Sequence, residues 1–90
     1  MPTKRVVLVT GATRGIGRAV AAGLAALDQT VIVGGRDLTE ANELARELGN
    51  KSIGVELDVT KPDTIAAAAN HIGTTFTRLD GLVNNAGINV

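Results

Sequence analysis

The segment Thr10-Gly11-Ala12-Thr13-Arg14-Gly15-Ile16-Gly17 constrains the fold most, because of what stands on either side of it. Before it, Val6-Val7-Leu8-Val9 is a continuous apolar run of four residues rich in β-branched side chains, as in a buried parallel strand. After it, Ile16, Ala19, Val20, Gly23, Leu24 and Leu27 recur at helical spacing and predict one apolar stripe of an amphipathic helix. A glycine-rich turn that leaves a strand and opens a helix is a place where a phosphate can be held. Backbone N–H groups are unpaired there, and the helix dipole favours negative charge.

The same alternation continues along the 90 residues. The first strand is read at Arg5 to Thr10 and the first helix at Gly15 to Asp28. A second strand, Thr30 to Gly34, precedes a helix over Leu38 to Leu48, with Leu38, Ala41, Leu44, Ala45 and Leu48 on one face. Asp37 is its candidate N-cap, with Glu40 three residues on, and Gly49 stops it. The third strand spans Ser52 to Leu57. Thr60 is expected to cap a third helix that has Pro62 in its first turn and Ile65, Ala69, Ile72 and Phe76 as its core stripe. Gly81-Leu82-Val83-Asn84 is the fourth strand. This βαβαβαβ order predicts an α/β fold with a parallel sheet and right-handed crossovers, its helices on both faces.

Composition removes several function classes. Phe76 is the one aromatic residue, which leaves nothing for base stacking, and nine basic residues balance nine acidic ones. Neither nucleic acid nor an anionic membrane is therefore an expected partner. The absence of cysteine excludes disulfides, thiolate metal sites and thiol nucleophiles. His71 stands mid-helix without Cys, Asp or Glu at ligand spacing and reads as a surface residue; no metal site is expected. No apolar run approaches membrane-spanning length, and a cytoplasmic protein is the expectation.

Gly11, Gly15 and Gly17 follow the spacing G-x-x-x-G-x-G. Gly11 would make the tight turn off the strand, Gly15 would let backbone approach a pyrophosphate, and Gly17 would let the helix pack close to the sheet. A P-loop is ruled out, since no Gly-Lys-Ser/Thr follows the glycines. The whole string T-G-A-T-R-G-I-G, followed in order by Leu57-Asp58-Val59-Thr60 and Leu82-Val83-Asn84-Asn85-Ala86-Gly87, resembles the short-chain dehydrogenase/reductase family. The resemblance covers essentially the whole chain.

The resemblance implies roles for particular residues. Gly11, Thr13, Arg14, Gly15 and Ile16 would surround the pyrophosphate and its adjacent ribose. Asp58 would accept a hydrogen bond from the adenine amino group, with Val59 beside the ring. Asn85, Ala86 and Gly87 would lie along the adenosine ribose, while Asn84 would brace the sheet. The end of the second strand bears on the cofactor. NAD-binding domains of this architecture place an acidic residue about 20 residues beyond the glycines, to hold the ribose 2′-OH. Here Gly35 occupies that place and Arg36 follows it, 19 positions beyond Gly17. A guanidinium pairs with a 2′-phosphate, and Arg14 adds a second positive charge. As an N-cap, Asp37 would turn its carboxylate toward helix N–H groups. The expected cofactor is NADP in preference to NAD.

In the family, a serine and a tyrosine with a lysine four residues later carry the chemistry beyond the fourth strand. This sequence has no tyrosine, so no catalytic residue is assigned. Residues 1–90 look like the N-terminal half of a dinucleotide-binding Rossmann domain with strand order 3-2-1-4. The implied function is that of the NADP-binding half of a carbonyl reductase or alcohol dehydrogenase, of the 3-oxoacyl reductase type. The alternative is a catalytically inert nucleotide-binding or self-assembling module. The Leu82-Val83 edge would be open and one sheet face bare, so a second copy or a complementary C-terminal fragment is expected there.

Overall fold

The computed structural model describes residues 5–76 and 78–85. Strand β1 (Val6–Val9) runs parallel to β2 (Thr30–Gly35) on one side and to β4 (Gly81–Val83) on the other, while β3 (Ile53–Glu56) pairs with the far side of β2. The order is β3-β2-β1-β4, with Leu8 opposite both Ile32 and Leu82. The parallel sheet is what the alternation of runs predicts, and its partial Rossmann order is the one the family resemblance implies.

Alternation along the strands sends side chains to two cores. Val7, Val9, Val31 and Val33 point to the face covered by α1 (Gly15–Ala26) and α2 (Leu38–Leu48), where they meet Ala21, Ala41, Leu44 and Ala45. Ile32, Val55 and Leu57 point to the opposite face, against Ala68 of α3 (Pro62–Thr75). All six residues of β2 are buried, which explains why its apolar run has no polar alternation.

Three details differ from the sequence reading. On α1 the buried residues are Gly17 and Ala21, with Val20, Leu24 and Ala25 packed beside them, whereas Ile16 and Leu27 are 68% and 70% exposed. The stripe is rotated because the closest helix–sheet contact selects the smallest side chains, and a periodicity read from large ones misses it. Helix α1 also ends at Ala26, two residues early. Asp28 takes a left-handed conformation (φ 64°), its N–H donating to Ala25 O while Gln29 N–H donates to Leu24 O. This is the paired bonding of a Schellman turn, more often built on glycine. Thr60 does not cap α3; Lys61 holds that position without a side-chain cap, and the Thr60 hydroxyl goes to Asp58 instead.

The α3 stripe is only partly covered. Ile72 and Phe76 are half-buried and Ile65 is 43% exposed, while the residue buried against the sheet is Ala68 and not the expected Ala69, which is exposed. Together with Leu8, Leu57, Leu79 and Leu82 they line an apolar groove of about 550 Å³ beside β4. No strand pairs with the outer edge of β4 among the described residues, and Leu82 is 59% exposed.

The start of β4 is fixed to β1 by Asp80, whose Oδ2 accepts from Val6 N–H at 2.8 Å while Asp80 N–H donates to Val6 O at 2.8 Å. The Val6 N–H bond, helped by Arg78 and Arg5 and opposed by partial burial, holds this carboxyl below its ordinary value of 3.8. A depressed folded-state value stabilises the protein above the ordinary carboxylate range, and that stabilisation is lost as pH falls through it. Urea midpoints measured from pH 6 to pH 3 should therefore fall less steeply for Asp80→Asn than for the parent chain. Parallel slopes would contradict this assignment.

Candidate nucleotide-binding site

The carboxyl ends of all four strands converge beside the glycine loop. This is the position where open parallel sheets bind ligands, at the switch between β1 and β4. The loop is strapped down on both sides: Ala12 N–H donates to Gly34 O at 3.0 Å, and Thr10 N–H to Val83 O at 3.0 Å. Below it, Asn85 N–H donates to Thr10 Oγ1 at 2.9 Å and Asn85 Nδ2 donates to Gly11 O at 3.2 Å. Asn84 Oδ1 accepts from the Thr10 hydroxyl at 3.2 Å, which is the sheet-bracing role expected of it. Asn85 is thus built into the support of the loop as well as lying at its rim.

Each glycine has a distinct mechanical reason. Gly11 and Gly15 have φ values of 60° and 56°, a region that side chains other than glycine rarely adopt. A Cβ at Gly15 would have nothing within 4 Å, so its backbone faces open space. At Gly17 a Cβ would lie 2.2 Å from Gly11 O and 2.7 Å from Asn85 Nδ2; the helix is seated directly on the loop it starts from. Arg14 is the N-cap of α1 and makes no side-chain cap, and the first turn carries no acidic residue. The N–H groups at this end keep their capacity for an anion, and α1 brings no carboxylate of its own to this end. These features fit a pyrophosphate.

At the end of β2, a Cβ on Gly35 would lie 2.9 Å from Thr13 Cγ2, so the strand end packs directly against the loop. Arg36 follows, exposed, with no hydrogen bond or ion pair among the described residues. Asp37 Oδ1 accepts from Thr39 N–H at 2.9 Å and Glu40 N–H at 3.2 Å, so its carboxylate caps α2 as expected. Glu40 does not complete a capping box; its carboxylate pairs with Arg14 at 3.7 Å.

Beyond β3, Asp58 Oδ1 accepts from the Thr60 hydroxyl at 2.6 Å and from Thr60 N–H at 2.9 Å. Asp58 N–H donates to Thr64 Oγ1 at 2.9 Å, which ties the turn to α3. The Thr60 hydroxyl, then its N–H, and more weakly the Lys61 and Arg36 charges hold the Asp58 carboxyl below 3.8 against slight burial. The side chain is a carboxylate at neutral pH, with Oδ2 left to accept. Val59 is 50% exposed beside it. Leu57 N–H donates to Gly35 O at 2.8 Å, so the ends of β2 and β3 lie side by side. Lys61 and Glu40 join that neighbourhood without having been singled out as site residues; the only sequence cue was their position at the starts of α3 and α2. Ala86 and Gly87 lie outside the described residues. No group of His, Cys, Asp and Glu able to hold a metal occurs among the described residues, and no helix there is long and apolar enough to cross a membrane.

Comparison with known proteins agrees with this geometry. The family model described as short chain dehydrogenase matches residues 5–90. A short-chain dehydrogenase/reductase of Aspergillus fumigatus is 42% identical over 94% of this chain and 35% of its own length. The 3-oxoacyl-acyl-carrier-protein reductase of Aquifex aeolicus is 44% identical over 93% of this chain and 36% of its own length. Among solved structures, menthone neomenthol reductase from Mentha piperita superposes with a TM-score of 0.86 at 42% identity, covering 98% of this chain and 33% of that one. The chain thus spans about a third of the length of the relatives it matches. Glycine loop, strand order and matched residues together place the chain in the short-chain dehydrogenases, a family of oxidoreductases that bind a nicotinamide cofactor.

Proposed function

We propose that the chain binds NADP(H) in preference to NAD(H), as the dinucleotide-binding part of a reductase or dehydrogenase acting on a carbonyl or alcohol, of the 3-oxoacyl reductase type. The observation that carries the preference is the pairing state at the end of β2. Arg36 is exposed and unpaired among the described residues, while the neighbouring Asp37 is spent on capping α2. A guanidinium there attracts a 2′-phosphate, and the Asp37 carboxylate beside it is turned to the N–H groups of α2. In this reading Gly11, Thr13, Arg14, Gly15 and Ile16 surround the pyrophosphate and its adjacent ribose, and Arg14 adds a second positive charge beside Arg36 for the 2′-phosphate. Asp58 Oδ2 accepts from the adenine amino group, Val59 flanks the ring, and Asn85 holds the loop beneath the ribose. When bound, the cofactor supplies hydride transfer at its nicotinamide ring.

Replacing Arg36 tests the reading. Charge-assisted hydrogen bonds contribute about 1.5–3 kcal/mol each. Calorimetric titration should show Arg36→Ala losing about ten- to hundredfold in NADP⁺ affinity with NAD⁺ unchanged. An equal loss for both dinucleotides would contradict it.

The groove beside β4 favours a second element of the reading. An open strand edge next to an apolar trough is a surface that another segment must cover. The relatives are about three times as long as this chain. We infer that polypeptide corresponding to their remainder, joined to this chain or supplied separately, covers the groove; a second copy is the competing occupant. Sedimentation of the chain alone separates them, since a concentration-dependent dimer would favour the second copy.

A further inference from the structure

The Arg14–Glu40 pair spans two segments that the sequence leaves 26 positions apart: the glycine loop and the first turn of α2. Glu40 is fixed by its backbone, because its N–H is one of the two that Asp37 caps at 3.2 Å. Its carboxylate reaches Arg14 at the glycine loop from the first turn of α2, four positions after Arg36 in sequence. Arg14 is 81% exposed and Glu40 44%, so the pair lies open to solvent. Nothing in the packing requires it, and an exposed pair contributes little to stability.

Its electrostatic effect on a ligand is another matter. A phosphate drawn by Arg14 and Arg36 meets the carboxylate that Arg14 already holds. The two anions compete for one guanidinium and repel each other. Resting on the reading of these arginines as the 2′-phosphate site, we propose that Glu40 is a positioning residue that sets cofactor specificity. Its negative charge competes for Arg14 and tempers the preference for a 2′-phosphorylated nucleotide over one without that phosphate. For a dianion within about 7 Å of a unit negative charge, removing that charge is worth several-fold in affinity at water-like dielectric. At roughly 0.15 M salt the Debye length of about 8 Å more than halves the interaction.

The test uses the chain itself and its Glu40→Gln variant. Adenosine 2′,5′-bisphosphate and adenosine 5′-monophosphate are titrated into each by calorimetry, at low and at physiological salt. The expected result is bisphosphate affinity about three- to tenfold higher in the variant at low salt, a smaller gain at physiological salt, and a distinctly smaller change for the monophosphate, which has the 5′-phosphate alone. An unchanged or weakened bisphosphate affinity overturns the proposal. If the parent chain still prefers the bisphosphate in that case, the NADP reading stands without it. If only the variant prefers the bisphosphate, the role of Glu40 stands and the NADP reading of the parent chain fails. If neither protein distinguishes the two nucleotides, both fail.

Discussion

Gly17→Ala is expected to cost the chain about 2–4 kcal/mol and to abolish nucleotide binding. The new Cβ would lie 2.2 Å from the carbonyl oxygen of Gly11 and 2.9 Å from its carbonyl carbon, so the obstacle is backbone and no side chain can swing aside. Overpacking of this kind typically costs about 1–3 kcal/mol through backbone displacement. The displaced carbonyl is also the acceptor of Asn85 Nδ2, whose amide would lie 2.7 Å from the same Cβ. Losing that bond adds about 1 kcal/mol. Against a total stability of roughly 5–15 kcal/mol for a small domain, this is a large share. Gly23, on the same helix, provides the control: a Cβ there meets nothing within 4 Å. Gly23→Ala should stabilise α1 by about 0.5–1 kcal/mol through helix propensity. Urea midpoints of the two variants should move in opposite directions. A Gly17→Ala midpoint close to that of the parent would show that α1 is not seated on the loop.

The second large effect lies on the other side of the sheet centre. Gly54 in β3 faces α2 so closely that a Cβ would lie 2.6 Å from both the carbonyl carbon of Ala41 and the amide nitrogen of Asn42. Gly54→Ala must push α2 away from β3. That movement loosens Ala41, Leu44 and Ala45 in the core between α2 and β2. It also shifts the first turn of α2, which carries Asp37 and Glu40. An expected loss of about 3 kcal/mol or more follows from overpacking against two backbone atoms. The same variant should weaken NADP⁺ binding through the displaced end of β2. A variant with parent stability would show that the α2–β3 approach is looser than the structure describes.

Gly54 illustrates what was legible in the sequence and what was not. The existence, type and order of all seven elements follow from local signals: short β-branched runs, helical spacing, Asp37 and Gly49 as helix punctuation. Those signals are properties of consecutive residues, and α2 is found at its expected bounds, Leu38–Leu48. Close approach between elements is a property of pairs distant in sequence. A glycine inside a strand run hints at it without naming the partner. The α1 stripe fails for the same reason, since Gly17 and Ala21 carry little hydrophobic signal yet make the tightest contact. Thr60 has the composition of a cap, but the carboxylate two residues earlier offers its hydroxyl a stronger, charge-assisted partner. The Arg14–Glu40 pair is invisible until the sheet order sets the start of α2 beside the glycine loop. The bare groove was foreseeable, because α3 was the one helix that could cover its face of the sheet.

In the proposed reading the ends of β1, β2 and β3 hold a dinucleotide by its phosphates, the 2′-phosphate included. Isothermal titration of NADPH and NADH into the chain, at one salt concentration, is the experiment that decides it. NADPH is expected to bind saturably and at least about tenfold tighter than NADH, the contribution of one charge-assisted phosphate contact. Equal affinities, tighter NADH, or no binding of either would contradict it.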